Sequence, residues 1–152
     1  MTIYKTPSAI VVILLKKVDG KKQILLQRRQ NTGFADGLWD FSCAGKVEDG
    51  ETMTETAVRE AMEELGVKVT PNKLNFICLV HKHDESAHIT FVNTYFICSE
   101  FEGKPTVCEA EKCSELKWFD LDSLPDDLID DRRQALKAYL NGIHYIEYGW
   151  KS

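Results

Sequence analysis

Apolar residues open the chain in a continuous run, Ile10 to Leu15, that reads as a strand buried on both faces. Asp19-Gly20 turns it into a second strand, Gln23 to Arg28. The stretch Asn31 to Gly37, punctuated by Gly33 and Gly37, is a loop leading into a short strand from Leu38 to Cys43. The periodicity then changes. Thr52-Met53-Thr54-Glu55 has the form of a capping box, so a helix is expected to start close to Thr52. Gly66 supplies a left-handed terminator and Pro71 prevents the helix from resuming. On a wheel of 100° per residue, Ala57, Val58, Ala61, Met62 and Leu65 form a core-facing stripe, with Glu60, Glu63 and Glu64 on roughly the opposite arc.

Further strands are expected at Leu74 to Val80, Ile89 to Cys98 and Leu116 to Phe119, then a last helix capped by Asp130 or Asp131 and running through Leu140. Strands and helices intermixed in this way predict an α/β domain with a mixed sheet covered by helices. No internal repeat, low-complexity tract or linker interrupts the 152 residues, which are expected to form one domain.

Composition narrows the function. The net charge of −5 argues against a broad electrostatic grip on a nucleic-acid polymer, but not against a small phosphorylated ligand, because a divalent cation inverts the local charge. The five cysteines form no C-x-x-C pair and read as reduced thiols of a cytoplasmic protein. Cys78, His81, His83 and His88 lack the ligand spacing of a zinc site. The longest apolar run is too short to span a bilayer, so no membrane partner is expected. The sequence leaves the oligomeric state open.

The strongest chemical signal lies between Gly45 and Val67, in GKVEDGETMTETAVREAMEELGV. Its spacing is G-x5-E-x7-R-E-U-x-E-E-x-G-U, where U is apolar. If each of seven fixed positions matched by composition alone, about one chain of this size in 10^5 would carry it. Glu60, Glu63 and Glu64 stand at i, i+3 and i+4, with Cβ atoms about 5–6 Å apart on a helix. Three like charges so close repel one another. A hard cation such as Mg²⁺, which takes carboxylate oxygens and substrate phosphate together, gives a reason for that cost. Glu51 precedes the helix and Arg59 lies two turns along, where a bidentate pair would fix the loop over the acidic face.

This stretch resembles the box of the Nudix hydrolases at every fixed position. The resemblance implies an α/β/α sandwich with a central mixed sheet, and cleavage of a diphosphate joined to another group, with Mg²⁺ or Mn²⁺ as cofactor. The likeness is greatest to MutT-like nucleoside triphosphate pyrophosphohydrolases, which also carry a pair such as Arg28-Arg29 at the end of the second strand. Carried over position by position, it implies Glu60 and Glu64 as main metal ligands, with Glu63 direct or through water. The backbone carbonyl of Ala44 joins them, although Ser42-Cys43-Ala44 replaces the common Leu/Phe-Pro-Gly before the box glycine. Arg29 and Lys46 resemble residues that hold phosphate or nucleotide, and Glu51 and Arg59 resemble parts of the catalytic frame. The general base comes either from the box or from a later glutamate, for which Glu109 and Glu111 are candidates.

A base needs an aromatic or apolar slot with a few polar groups, and Phe91, Asn93, Trp118 and Phe119 lie on strands where one can form. Asp130 or Asp131 stands where some relatives place a residue that reads the base. The tyrosine and proline that mark dinucleoside polyphosphate and ADP-ribose hydrolases are missing beyond the box, in Lys82-His83-Asp84-Glu85. The expected substrate is therefore a small nucleotide, most simply a nucleoside triphosphate, oxidised or not, giving monophosphate and pyrophosphate. The alternatives are another nucleoside diphosphate derivative, or a Nudix-like module that senses a nucleotide without cutting it.

Overall fold

The computed structural model describes residues 1–151. Its elements are β1 (Ser8–Val18), β2 (Lys21–Arg29), β3 (Trp39–Phe41), β4 (Cys43–Lys46), α1 (Met53–Leu65), β5 (Asn75–Asp84), β6 (Ile89–Cys98), β7 (Cys113–Asp120), α2 (Asp130–Leu140) and β8 (Tyr145–Tyr148). The eight strands run in the order β3-β2-β1-β6-β5-β8, with β4 also pairing β1 and β7 also pairing β2. β1 is the spine of this mixed sheet. Its first half lies antiparallel to β4 and parallel to β6, and its second half lies antiparallel to β2.

The pleat explains why β1 reads as continuously apolar. Ile10, Val12 and Leu14 pack toward α1 with Ala57, Ala61 and Leu65. Val11 and Ile13 face the opposite layer with Ala135 and Leu136 of α2. Every second side chain belongs to a different core, so both sets must be hydrophobic. The result is the expected α/β/α sandwich.

Local chemistry sets the ends of α1. The Thr52 hydroxyl accepts from the Glu55 N–H (3.1 Å), and the Glu55 carboxylate accepts from the Thr52 N–H (3.0 Å). Gly66 closes the helix at φ 68°, where an alanine would be strained. The stripe is rotated from its expected position. Thr56 is buried, whereas Met62 is 50% exposed. Met62 stands at the edge of the apolar arc, and Thr56 takes its place because its hydroxyl is satisfied by Glu51 Oε1 and the Thr52 carbonyl. That rotation carries Glu60 and Glu64 to the border of the core, half-buried, and leaves only Glu63 facing water.

Three other expectations change. The strand expected from Leu38 to Cys43 is two strands, β3 and β4, with Ser42 between them. Ile129, not Asp130 or Asp131, occupies the N-cap of α2, and no side chain caps it. β8 is additional to the expected set and runs parallel to β5. Among the described residues, no helix is long and apolar enough to cross a membrane.

Candidate active site

β4 and α1 bring the box together. Gly45 lies under Glu60, and a Cβ at this position would collide with the Glu60 carboxyl group. Only glycine lets that carboxylate fold over the strand. Glu64, one turn on, accepts a hydrogen bond from the Ala44 N–H (3.2 Å) through Oε2. Burial pushes the Glu64 carboxyl well above the usual range, and the adjoining Glu60 carboxylate, hydrogen-bonded to it, pushes it further.

Arg59 organises the remaining carboxylates. Its Nε donates to Glu51 Oε2 (2.7 Å) and its Nη2 to Glu51 Oε1 (2.9 Å), forming the expected two-point pair. Its Nη1 reaches Glu60 Oε1 (2.7 Å) and Glu63 Oε2 (3.2 Å). The guanidinium holds the Glu51 carboxyl down at about 2. Glu63 is therefore turned toward Arg59. Among the described residues no three His, Cys, Asp or Glu side chains stand together as a ready-made metal group; Glu60 and Glu64 meet each other instead.

Ala44, Gly45, Arg59, Glu60 and Glu64 line a cleft of about 610 Å³ whose walls also include Arg29, Lys46, Glu63, Glu109 and Lys112. A second cleft of about 520 Å³ adjoins it, walled by Phe34, Phe91, Asn93, Lys82 and Arg132. Arg29, Thr32, Ala44, Gly45 and Lys46 line both. The Lys46 ammonium stands 5.9 Å from the Phe91 ring centroid, bridging the acidic cleft and the aromatic one.

Several candidates lie elsewhere. Arg28 alternates with Arg29 along β2 and points away, covering Trp39 (4.5 Å to the ring) and donating to the Gly37 carbonyl (2.9 Å). Trp118 pairs with Leu25 across β2–β7 and packs into the α1-side core beneath Lys16, so it lines neither cleft. Phe119 packs edge-on against Trp39 (5.0 Å). Glu111 is exposed outside both clefts, because the turn after Glu109 directs only Glu109 into the acidic cleft. Asp130 accepts from the Tyr148 hydroxyl (2.7 Å), outside both clefts. Its neighbour Asp131, one helical step round, is buried and paired with Lys82 (3.1 Å), which does line the aromatic cleft.

Sequence reasoning passed over Phe34, Lys82, Arg132 and Asp40. Phe34 was findable as the one aromatic in the glycine-punctuated loop. Asp40 had a signal too, as an acid between Trp39 and Phe41 in a strand.

Comparison with known proteins points to one family. The NUDIX domain model matches residues 5–139. A putative 8-oxo-dGTP diphosphatase of Bacillus subtilis (strain 168) is 26% identical over 137 residues, covering 90% of this chain and 81% of that protein. A dihydroneopterin triphosphate diphosphatase of Escherichia coli (strain K12) is 37% identical over 75 residues, which span 49% of this chain and only 46% of that protein. The crystal structure of a MutT NUDIX hydrolase from Burkholderia pseudomallei superposes with a TM-score of 0.76 at 28% identity, over 88% of this chain and 98% of that one. With the domain matched across most of its length and the box carboxylates folded under one cleft, this chain belongs to the Nudix family and is a pyrophosphohydrolase.

Proposed function

We propose that this enzyme cleaves a nucleoside triphosphate to the monophosphate and pyrophosphate, with Mg²⁺ as its cofactor and Mn²⁺ as a substitute. The carrying observation is the joining of two clefts of different character at Arg29, Gly45 and Lys46. One is acidic with basic walls, which suits a diphosphate with a cation. The other offers two aromatic rings and the Asn93 carboxamide, which suits a planar heterocycle. The relatives named for 8-oxo-dGTP and dihydroneopterin triphosphate support a triphosphate of this kind.

The donor set fits a hard divalent ion. Burial, and then the Glu60 carboxylate beside it, hold the Glu64 carboxyl above its usual range, a cost that a cation between the two would offset. They would hold the ion with the Ala44 carbonyl, and Glu63 would join on rotating away from Arg59. When bound, Mg²⁺ supplies charge neutralisation at the phosphate oxygens and lowers the pKa of an attacking water. The chain's own groups do the rest. Arg29 and Lys46 fix the phosphates, and Arg59 with Glu51 keeps α1 and the preceding loop in register. Glu109 takes the water's proton, as the later glutamate that lines this cleft.

The test is a panel of canonical and oxidised nucleoside triphosphates, nucleotide sugars and dinucleotides with Mg²⁺, following pyrophosphate, phosphate and monophosphate. Triphosphates are expected to be turned over best, with pyrophosphate released. Better turnover of a sugar- or dinucleotide-linked diphosphate would overturn the substrate assignment.

A further inference from the structure

Asp40 is fully buried, in a strand whose other two residues are Trp39 and Phe41. Its carboxylate is shared between two guanidinium groups from distant parts of the chain. Arg29 Nη1 donates to Oδ2 (3.0 Å), and Arg132 Nε donates to Oδ1 (2.8 Å). Each arginine has a second anchor. Arg29 Nε donates to the Phe34 carbonyl (2.8 Å), and Arg132 Nη1 donates to the Tyr95 hydroxyl (2.9 Å).

Two features set this cluster apart from a stabilising ion pair. Buried ion pairs rarely improve on well-packed apolar side chains, because desolvation consumes the attraction. Moreover, one carboxylate does not neutralise two guanidinium groups, and Asp131, the other buried acid near Arg132, is itself paired with Lys82, so the cluster keeps a net positive charge at the cleft boundary. Arg29 lines both clefts and Arg132 lines the aromatic one. The excess charge thus faces the junction where a group linking nucleoside to diphosphate would sit.

We propose that Asp40 is a positioning residue that locks the Arg29 guanidinium, through the carboxylate it shares with Arg132, at the junction of the two clefts, where Arg29 grips the phosphate next to the nucleoside. The inference rests on the proposed nucleotide substrate. Its consequence is that Asp40 governs substrate affinity through Arg29 and leaves the chemical step at Glu60 and Glu64 intact.

The test uses the whole protein with Mg²⁺ and the best triphosphate of the panel. Asp40→Asn is expected to raise KM about tenfold with kcat held within about twofold, as loss of one charge-assisted grip predicts. Arg29→Ala should raise KM by at least as much, and Asp40→Asn should add less than about twofold in that background. Arg29→Lys keeps the charge but cannot reach Asp40 and the Phe34 carbonyl together, so it should behave like Arg29→Ala. This variant keeps the proposal testable if Asp40→Asn fails to fold. The ¹⁵N–¹H signal of Arg29 Nε, assigned by its loss in Arg29→Ala, should exchange slowly with solvent in the wild type and faster in Asp40→Asn. That readout needs no turnover, so it separates failure of the positioning role from failure of the substrate assignment. A wild-type KM in Arg29→Lys, an undiminished effect of Asp40→Asn without Arg29, or an unaltered Arg29 signal would overturn it.

Discussion

Glu64→Gln should make the metal-free protein more stable at neutral pH while destroying its site. The structure places the Glu64 carboxyl in a half-buried position against Glu60, so the folded state favours its protonated form. In the unfolded chain the same carboxyl has its ordinary value of 4.5. Below that value both states carry the proton and the group contributes nothing to a pH dependence. Above it the unfolded chain ionises while the folded protein retains the proton, so stability falls as pH rises. The slope approaches about 1.4 kcal/mol per pH unit, and three units of it set a ceiling of about 4 kcal/mol near pH 7.5. Glutamine copies the protonated carboxyl. Its oxygen can accept from the Ala44 N–H, its NH₂ can donate to Glu60, and it does not titrate. Thermal melts of both proteins in EDTA from pH 5 to pH 9 read the difference directly, and subtraction removes every other titrating group. The variant should melt close to wild type at pH 5. It should melt higher by several degrees at pH 7.5, since about 1 kcal/mol shifts a domain of this size by roughly 2–4 °C. Added Mg²⁺ should raise the wild type and leave the variant nearly unchanged. A difference in melting temperature that stays constant from pH 5 to pH 9 would refute the raised Glu64 carboxyl.

Gly45→Ala should leave the melt within a few degrees, because Glu60 can swing aside, yet reduce kcat/KM about 100-fold as that carboxylate leaves its place. Glu109→Gln should lower kcat about 100-fold, whereas Glu111→Gln, outside the cleft, should match wild type; the reverse order in the same assay would exchange their roles. Arg59→Met removes the partner that holds Glu51 at about 2. The contribution of that depressed carboxyl is present above pH 4.5 and lost as pH falls toward 2, so acid unfolding followed by circular dichroism should begin at higher pH in the variant.

The limits of α1 were legible because they depend on neighbours in sequence: Thr52 with Glu55, and Gly66 at its own backbone angle. The box was legible for the same reason, since one helix and the loop before it supply nearly all of it. What escaped depends on pairing between distant strands. β8 is four residues long and becomes a strand only by pairing with β5, Tyr145 opposite Leu79. Arg28 and Arg29 are equivalent in sequence, and the register of β2 against β3 decides which one enters the clefts. The register of β7 against β2 likewise turns Trp118 toward α1. Asp130 and Asp131 differ by a single helical step, which sends one to Tyr148 and the other to Lys82. Asp40 was the hardest case. Its two partners lie 11 and 92 residues away, and only the folded chain brings them to one carboxylate.

The acidic pair Glu60 and Glu64 is the proposed seat of metal-dependent cleavage. Its most direct test is a Mg²⁺ titration of triphosphate turnover by the wild type and Glu64→Gln, both shown to be folded. The wild type should be inactive in EDTA and saturate with Mg²⁺, while Glu64→Gln should be slower by about 100-fold or more at every Mg²⁺ concentration. Equal rates in the two proteins, or turnover by the wild type that ignores Mg²⁺, would contradict it.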